Sequence, residues 1–420
     1  MKPRSGCVDH LAHNCSEMEN KPNRALIATT AAAAAIGCIA TWKLYWQWKT
    51  LQRAEEKNLP ELASKIDDED LAILSYTNNT ALKRSAEQVL VDRMMSEENL
   101  QYLLKQCCSE DEVQMKKAVT VLSILTKTNE FKPCLIKRGV FEIVTKCVSS
   151  ISDGFQMVKL TEKCFNSYDV EQILKFSVVT VHDLVADSEA NLTQFFNGSK
   201  EFVAFLLELI SDPCDSISQD IRRLSIIILQ QMMHNENMRL NLISYGMIQR
   251  TTLCFLRTIG DVGVSRNCLQ ILVMYINFFE DYLTEEFLQE MAQLGIVPVL
   301  IGCLKSDDSD LVYWSTALIH EFLLKDLHRG VISKIPNIVK TLFHILISSE
   351  SGLQRLVLRI YCFLSINDDY FKNKLLNFPP LLKRMSVCLA SGNNDLVYWA
   401  LLLVHDLAMI GKNMFILYAI

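Results

Sequence analysis

The sequence predicts an all-α solenoid of about seven stacked repeats, and three observations carry the prediction. The stretch Asp310-Leu311-Val312-Tyr313-Trp314 returns 85 residues later as Asp395-Leu396-Val397-Tyr398-Trp399. Midway between the copies, Gly352-Leu353-Gln354-Arg355-Leu356 leads into the apolar run Val357 to Leu364, so the unit is about 42 residues, a period typical of arrays of short helices. Each of these helices is then followed at a nearly constant distance by a second marker. The interval is 24 residues from Leu311 to Ile335, 25 from Leu353 to Phe378 and from Ile221 to Gly246, and 26 from Val113 to Gly139. Strand signals are few: no Asn-Gly or Asp-Gly pair joins two alternating apolar runs.

Within a unit, Leu311, Trp314, Ser315, Leu318, Ile319 and Phe322 recur at three-four spacing and read as one buried stripe. A single unit cannot cover such a stripe, so neighbours stack and share a core. Pro298, Pro336 and Pro379 fall near helix starts, where the missing amide hydrogen costs nothing. Gly139, Gly246 and Gly295 follow short apolar helices and suit the stop between one helix and the next.

A short first helix, a second opening on Gly or Pro, and a longer third resemble the armadillo repeat over roughly residues 76–420. The resemblance implies a right-handed helical solenoid and a non-enzymatic adaptor that binds other proteins along a concave groove. In that family an Asn ten residues into the third helix binds an extended peptide backbone. Here the corresponding positions hold Asp183, Glu321 and Asp406, with Gln231, Ser123 and Phe363 in other copies. The Asn ladder is absent, so the expected partner is a basic or helical protein segment. Asp183, Glu321 and Asp406 are its expected polar contacts, with Tyr313, Trp314, Tyr398 and Trp399 nearby.

In chain order, residues 1–24 form a polar head. Residues 25–46 read as a transmembrane anchor: Ala25 to Trp42 carries no charge, and eighteen residues at 1.5 Å each span roughly 27 Å, near the thickness of a bilayer core. Tyr45, Trp46 and Trp48 suit the headgroup level and Lys43 and Lys49 can snorkel beside them. A cleavable leader would begin closer to the N-terminus and end in small residues, and a buried helix would not need apolar character on every face. Residues 47–75 form a linker and first helix, with Asp67, Asp68, Glu69 and Asp70 at a helix start. The solenoid then opens on an atypical copy at Thr80 to Met95. Third helices are expected at Val113 to Thr126, Ile173 to Val185, Ile221 to Met233 and Asn267 to Phe279, then at 311, 353 and 396, with a degenerate or inserted stretch at Ile151 to Val170. The apolar tail Met414 to Ile420 either packs as a further helix, is covered by a partner, or marks a shortened form.

Of the residues, 50% are hydrophobic and 21% charged, which provides for a large core, and the net charge of -6 offers no basic stripe for nucleic acid. Fourteen Cys scattered through apolar helices read as buried thiols in a reducing compartment, which places the body in the cytosol. Sequons at Asn78, Asn191 and Asn197 would carry glycans only in a lumen. The short, moderately apolar span with basic flanks resembles those of membrane-anchored armadillo proteins of the mitochondrial outer membrane, which implies a role in organelle positioning or recruitment. A soluble or endoplasmic-reticulum-attached regulatory subunit is the alternative.

No phosphate-binding Gly loop, Gly-x-Ser-x-Gly elbow or paired Cys-x-x-Cys set is present. No catalytic residue, cofactor, metal or small-molecule substrate is expected. The one recurrent polar pair is His182-Asp183, His320-Glu321 and His405-Asp406, whose His-Asp form suggests a metal-dependent hydrolase. Their equal place in separate repeats instead predicts local contacts on three different helices.

Overall fold

The computed structural model describes residues 67–76, 80–152, 167–186, 188–212, 217–278, 281–348 and 350–409. The head, the expected anchor at 25–46, most of the linker, Asn78, most of the stretch 151–170 and the tail from 410 lie outside the described residues. Among the described residues no helix is long and apolar enough to cross a membrane.

The chain divides into two compact units, Met1–Val89 and Leu90–Ile420. In the first, α1 (Asp68–Leu74) opens on the acidic run, with Asp67 Oδ1 accepting from the Asp68 amide at 2.7 Å. Helix α2 (Thr80–Met94) follows and runs across the division.

The second unit is a repeat array. It contains α3 (Glu97–Gln106), α4 (Glu112–Leu125), α5 (Lys132–Lys137), α6 (Val140–Ile151), α7 (Tyr168–Val185), α8 (Glu189–Gly198), α9 (Lys200–Ser211) and α10 (Gln219–Met232). It continues through α11 (Glu236–Ser244), α12 (Met247–Arg257), α13 (Val262–Phe278), α14 (Asp281–Gln293), α15 (Ile296–Cys303) and α16 (Ser309–Leu324). The last members are α17 (Arg329–Ile332), α18 (Ile338–Ser348), α19 (Ser351–Ser365), α20 (Asp369–Leu376), α21 (Pro379–Leu389) and α22 (Asn394–Ala408). The third helices α4, α7, α10, α13, α16 and α19 each pack on the next of their kind, the last of these on α22, and each third helix packs on the second helix preceding it. That regular succession makes this unit an α solenoid, with its core between the long third helices and the second helices.

Local chemistry explains the breaks. Gly139, Gly246 and Gly295 stand before α6, α12 and α15 with φ of 72°, 73° and 87°, a left-handed turn that a Cβ disfavours. Before α18 the same conformation is taken by Asn337 (φ 61°), one residue after Pro336. Pro379 is the first residue of α21 and Pro298 the third of α15. Asp111, Ser167, Asp308 and Asn393 cap α4, α7, α16 and α22 through side-chain acceptors, satisfying first-turn amides.

Two expectations need correction. Helices α7 and α13 begin at Tyr168 and Val262, five residues earlier than the apolar pattern suggests, because their first turns are polar or glycine-bearing and are held by caps. In α16, Leu311, Ser315, Leu318, Ile319 and Phe322 are buried, but Trp314 is only half-buried and lies at the edge of the stripe.

Successive third helices are also joined by ion pairs at one register. A cation two residues after a buried apolar position of one third helix (Ile173, Ile221, Val264 or Leu353) reaches the start of the next third helix. Lys175 meets Asp220 at 3.0 Å, Arg223 meets Asp261 at 3.0 Å, Arg266 meets Asp310 at 3.3 Å and Arg355 meets Asp395 at 2.8 Å. Between α4 and α7 the pair is Lys116–Asp169 at 3.0 Å. Each such surface pair contributes about 0–1 kcal/mol, so the rungs set register more than they supply stability.

Candidate protein-binding face

The third helices share more than a core. Positions three, six and ten residues after Ile173, Ile221, Val264, Leu311, Leu353 and Leu396 lie on one side of their helices, and in this array they form a common, mostly half-exposed strip. From α7 to α13 it reads Phe176, Val179 and Asp183; Leu224, Ile227 and Gln231; Asn267, Gln270 and Met274, all half-buried. From α16 to α22 it reads Trp314, Ala317 and Glu321; Leu356, Arg359 and Phe363; Trp399, Leu402 and Asp406. In α4 the same positions, counted from the buried Met115, are Ala118, Val121 and Leu125, all buried, so the strip closes there.

In the last three repeats ring contacts run along the strip, beginning at His320, which is buried beside it. His320 stands 5.6 Å from Phe363, and Phe363 stands 6.3 Å from Trp399. The Arg359 guanidinium lies over the Trp399 ring at 5.0 Å, a cation–π contact. Burial lowers the Arg359 pKa while the Glu321 carboxylate pushes it back. Tyr313 and Tyr398 each meet the neighbouring Trp edge-on, at 5.0 and 5.2 Å, and project outward at 39% and 58% exposure. The expected site residues therefore divide: Trp314, Trp399, Glu321 and Asp406 lie on the strip with Arg359 and Phe363, the two tyrosines stand beside it, and Asp183 lies three third helices away on α7.

Each carboxylate of the strip has a local hydrogen-bond partner. Asp183 Oδ1 lies 2.9 Å from His182 Nδ1, and Glu321 Oε1 lies 2.9 Å from His320 Nδ1. Asp406 accepts from Lys372 Nζ at 2.9 Å and from the Ser365 hydroxyl at 2.5 Å. The His-acid pairs thus make local contacts on α7 and α16, while His405 is exposed and its neighbour Asp406 is held by α19 and α20. Among the described residues no group of three His, Cys, Asp or Glu is placed to hold a metal ion.

Sequence reasoning passed over Arg359, Ser365 and Lys372. The available signal was the six-residue offset from Leu353, which puts a lone Arg in the middle of an apolar run.

No protein-family model matches the chain, and no curated protein matches it. Among solved structures, it is similar to an engineered protein at 12% identity, covering 81% of this chain and 99% of that one with a TM-score of 0.43. It is also similar to a designed armadillo repeat protein in complex with the peptide (KR)4, at 13% identity over 61% of this chain and 100% of that one, TM-score 0.36. A third likeness is to computationally designed armadillo repeat proteins for modular peptide recognition, at 14% identity over 61% and 99%, TM-score 0.38. The repeat architecture of this chain follows from its own helix contacts.

Proposed function

We propose that the chain is a membrane-anchored, non-enzymatic scaffold that binds a segment of a partner protein along the third-helix strip. The observation that carries this reading is the strip itself: a row of mostly half-exposed positions from α7 to α22, ending in the rings of Phe363 and Trp399, with the buried His320 ring packed beside Phe363. Pre-ordered aromatic and Arg groups are the kind of side chain that dominates protein interfaces. Because Asp183, Glu321 and Asp406 already hold cations or donors of their own, the strip favours a segment with apolar anchors and polar flanks over a densely basic one.

Residues 25–46 supply the anchor in this reading, and the body faces the cytosol. Buried thiols support that side: burial pushes Cys147 and Cys362 up to about 12, consistent with unreactive structural cysteines. Asn191 supports it too, since its Nδ2, the atom a glycan would take, donates to the Leu184 carbonyl at 2.9 Å. The short span with basic flanks favours the mitochondrial outer membrane.

The test is site-directed photocrosslinking of the full chain in cells from positions 176 and 399, with position 286 on α14 as control. Both strip positions are expected to capture the same partner, and Trp314→Ala with Trp399→Ala to lose it while the helical spectrum is kept. Different captures from the two strip positions, or equal capture from 286, would discard the reading. Imaging the same chain beside mitochondrial and endoplasmic-reticulum markers decides the membrane.

A further inference from the structure

The rungs that join successive third helices are missing at one junction. Between α16 and α19 the cation's register is occupied by Tyr313, two residues after Leu311, and no ion pair joins the two helices among the described residues. The acceptor side is nevertheless in place. Glu350 stands three residues before Leu353, the register at which Asp261 accepts Arg223 before α13. Its carboxylate is exposed and makes no side-chain cap bond to α19, unlike Asp308 before α16.

A cleft of about 660 Å³ opens at this junction, lined by Lys305, Asp307, Asp310, Tyr313, His344 and Glu350 among others. Asp310 is shared with Arg266 at 3.3 Å, whereas Asp307 and Glu350 have no ion pair with a described residue. The cleft also takes in Gly352, where a Cβ would meet nothing within 4 Å, so that stretch of wall is bare backbone. The 39%-exposed Tyr313 ring offers a flat wall to a planar cation.

We infer that this cleft is a receptor for an arginine side chain of a partner protein, which supplies from outside the cation that the other junctions hold from within. The chain itself shows the bound arrangement at the neighbouring junctions, where Arg266 and Arg355 lie against first-turn carboxylates at 3.3 and 2.8 Å. A guanidinium on Glu350 repeats that contact, with Asp307 and the Tyr313 ring lining the same cleft. Lys305, the one Lys or Arg among the described residues lining the cleft, narrows the choice to a single Arg rather than a run of cations. The site stands apart from the third-helix strip, although Tyr313 touches Trp314.

The experiment is ligand-observed saturation-transfer NMR on the full chain in detergent micelles, with a blocked Gly-Ser-Arg-Ser-Gly peptide. Its citrulline analogue keeps the shape and removes the charge, and its Lys analogue keeps the charge and removes the plane. Saturable transfer is expected for the Arg peptide alone, falling at least fivefold in Tyr313→Arg, where the rung is restored in cis, and in Glu350→Gln, an exposed change that leaves the fold intact. Glu321→Gln on the strip is expected to leave it unchanged. Equal transfer from the citrulline peptide, full transfer in both cleft variants, or loss only in Glu321→Gln would overturn the inference. The last of these would leave the proposed strip standing, just as failed crosslinking from positions 176 and 399 would leave the cleft standing.

Discussion

Two neighbouring junctions show how little sequence separates a sealed repeat boundary from an open one. At α19–α22, Arg355 reaches Asp395 at 2.8 Å, Cys362 Sγ lies 3.6 Å from the Trp399 carbonyl, and Ser365 reaches Asp406. At α16–α19 the same register presents Tyr313 to a first turn carrying Glu350, and a cleft takes the place of the rung. Both junctions rest on the same kind of core, with Leu318, Phe322, Val357, Tyr361 and Leu403 fully buried. The core therefore fixes the stacking, and the side chain two residues past Leu311 or Leu353 decides whether the boundary is closed to an outside cation.

The comparison breaks at its base if the shared core is removed. Phe322→Ala in α16 deletes a fully buried ring and is expected to cost about 3–5 kcal/mol, the range for large-to-small core changes. Urea denaturation followed by circular dichroism measures it, and hydrogen exchange should show α16 and α19 losing protection together. A cost under 1 kcal/mol would mean that the layer does not hold the two helices as described.

A smaller effect is expected at Tyr361, whose buried hydroxyl donates to the Val339 carbonyl at 2.7 Å and ties α19 to α18. Tyr361→Phe keeps the ring and removes the donor, at a cost of about 0.5–1.5 kcal/mol. Exchange of amides near Val339 should quicken more than exchange across the α19–α22 boundary. The reverse order would place the hydroxyl's contribution at the wrong interface.

What could be read from the chain beforehand follows the same division between core and boundary. The period was legible because Leu311, Leu353 and Leu396 open helices whose cores demand the same spacing, and the left-handed turns at Gly139, Gly246 and Gly295 were legible because few other residues suit them. Trp314 was misplaced because an apolar residue at three-four spacing satisfies the stripe pattern whether it faces the core or its edge. The compensation of Asp406 by Lys372, and every rung of the ladder, joins residues about one repeat apart. Such pairs become visible only once stacking brings the repeats together, which is why Asp406 reads as a free acid in the sequence and is held by Lys372 in the fold.

The smallest expected effect sharpens the comparison most. Arg355→Gln removes the rung at the sealed junction while leaving its core untouched. The pair is exposed on both sides, so the stability loss should stay below about 1 kcal/mol and shrink with added salt. Cys362 reports local opening directly, because its thiol is buried against α22 and burial raises its pKa to about 12. At pH 8 it stays protonated while the junction is closed and reacts with a maleimide only when the helices part. Labelling of Cys362 should therefore quicken by a factor of about two to five in Arg355→Gln at low salt and return toward the parent rate at high salt. Tyr313→Gln, which alters the open junction and removes no rung, should leave Cys362 unchanged. If both variants quicken Cys362 equally, or if salt has no influence, the boundary is sealed by packing alone and the missing cation at α16–α19 is not what opens the cleft.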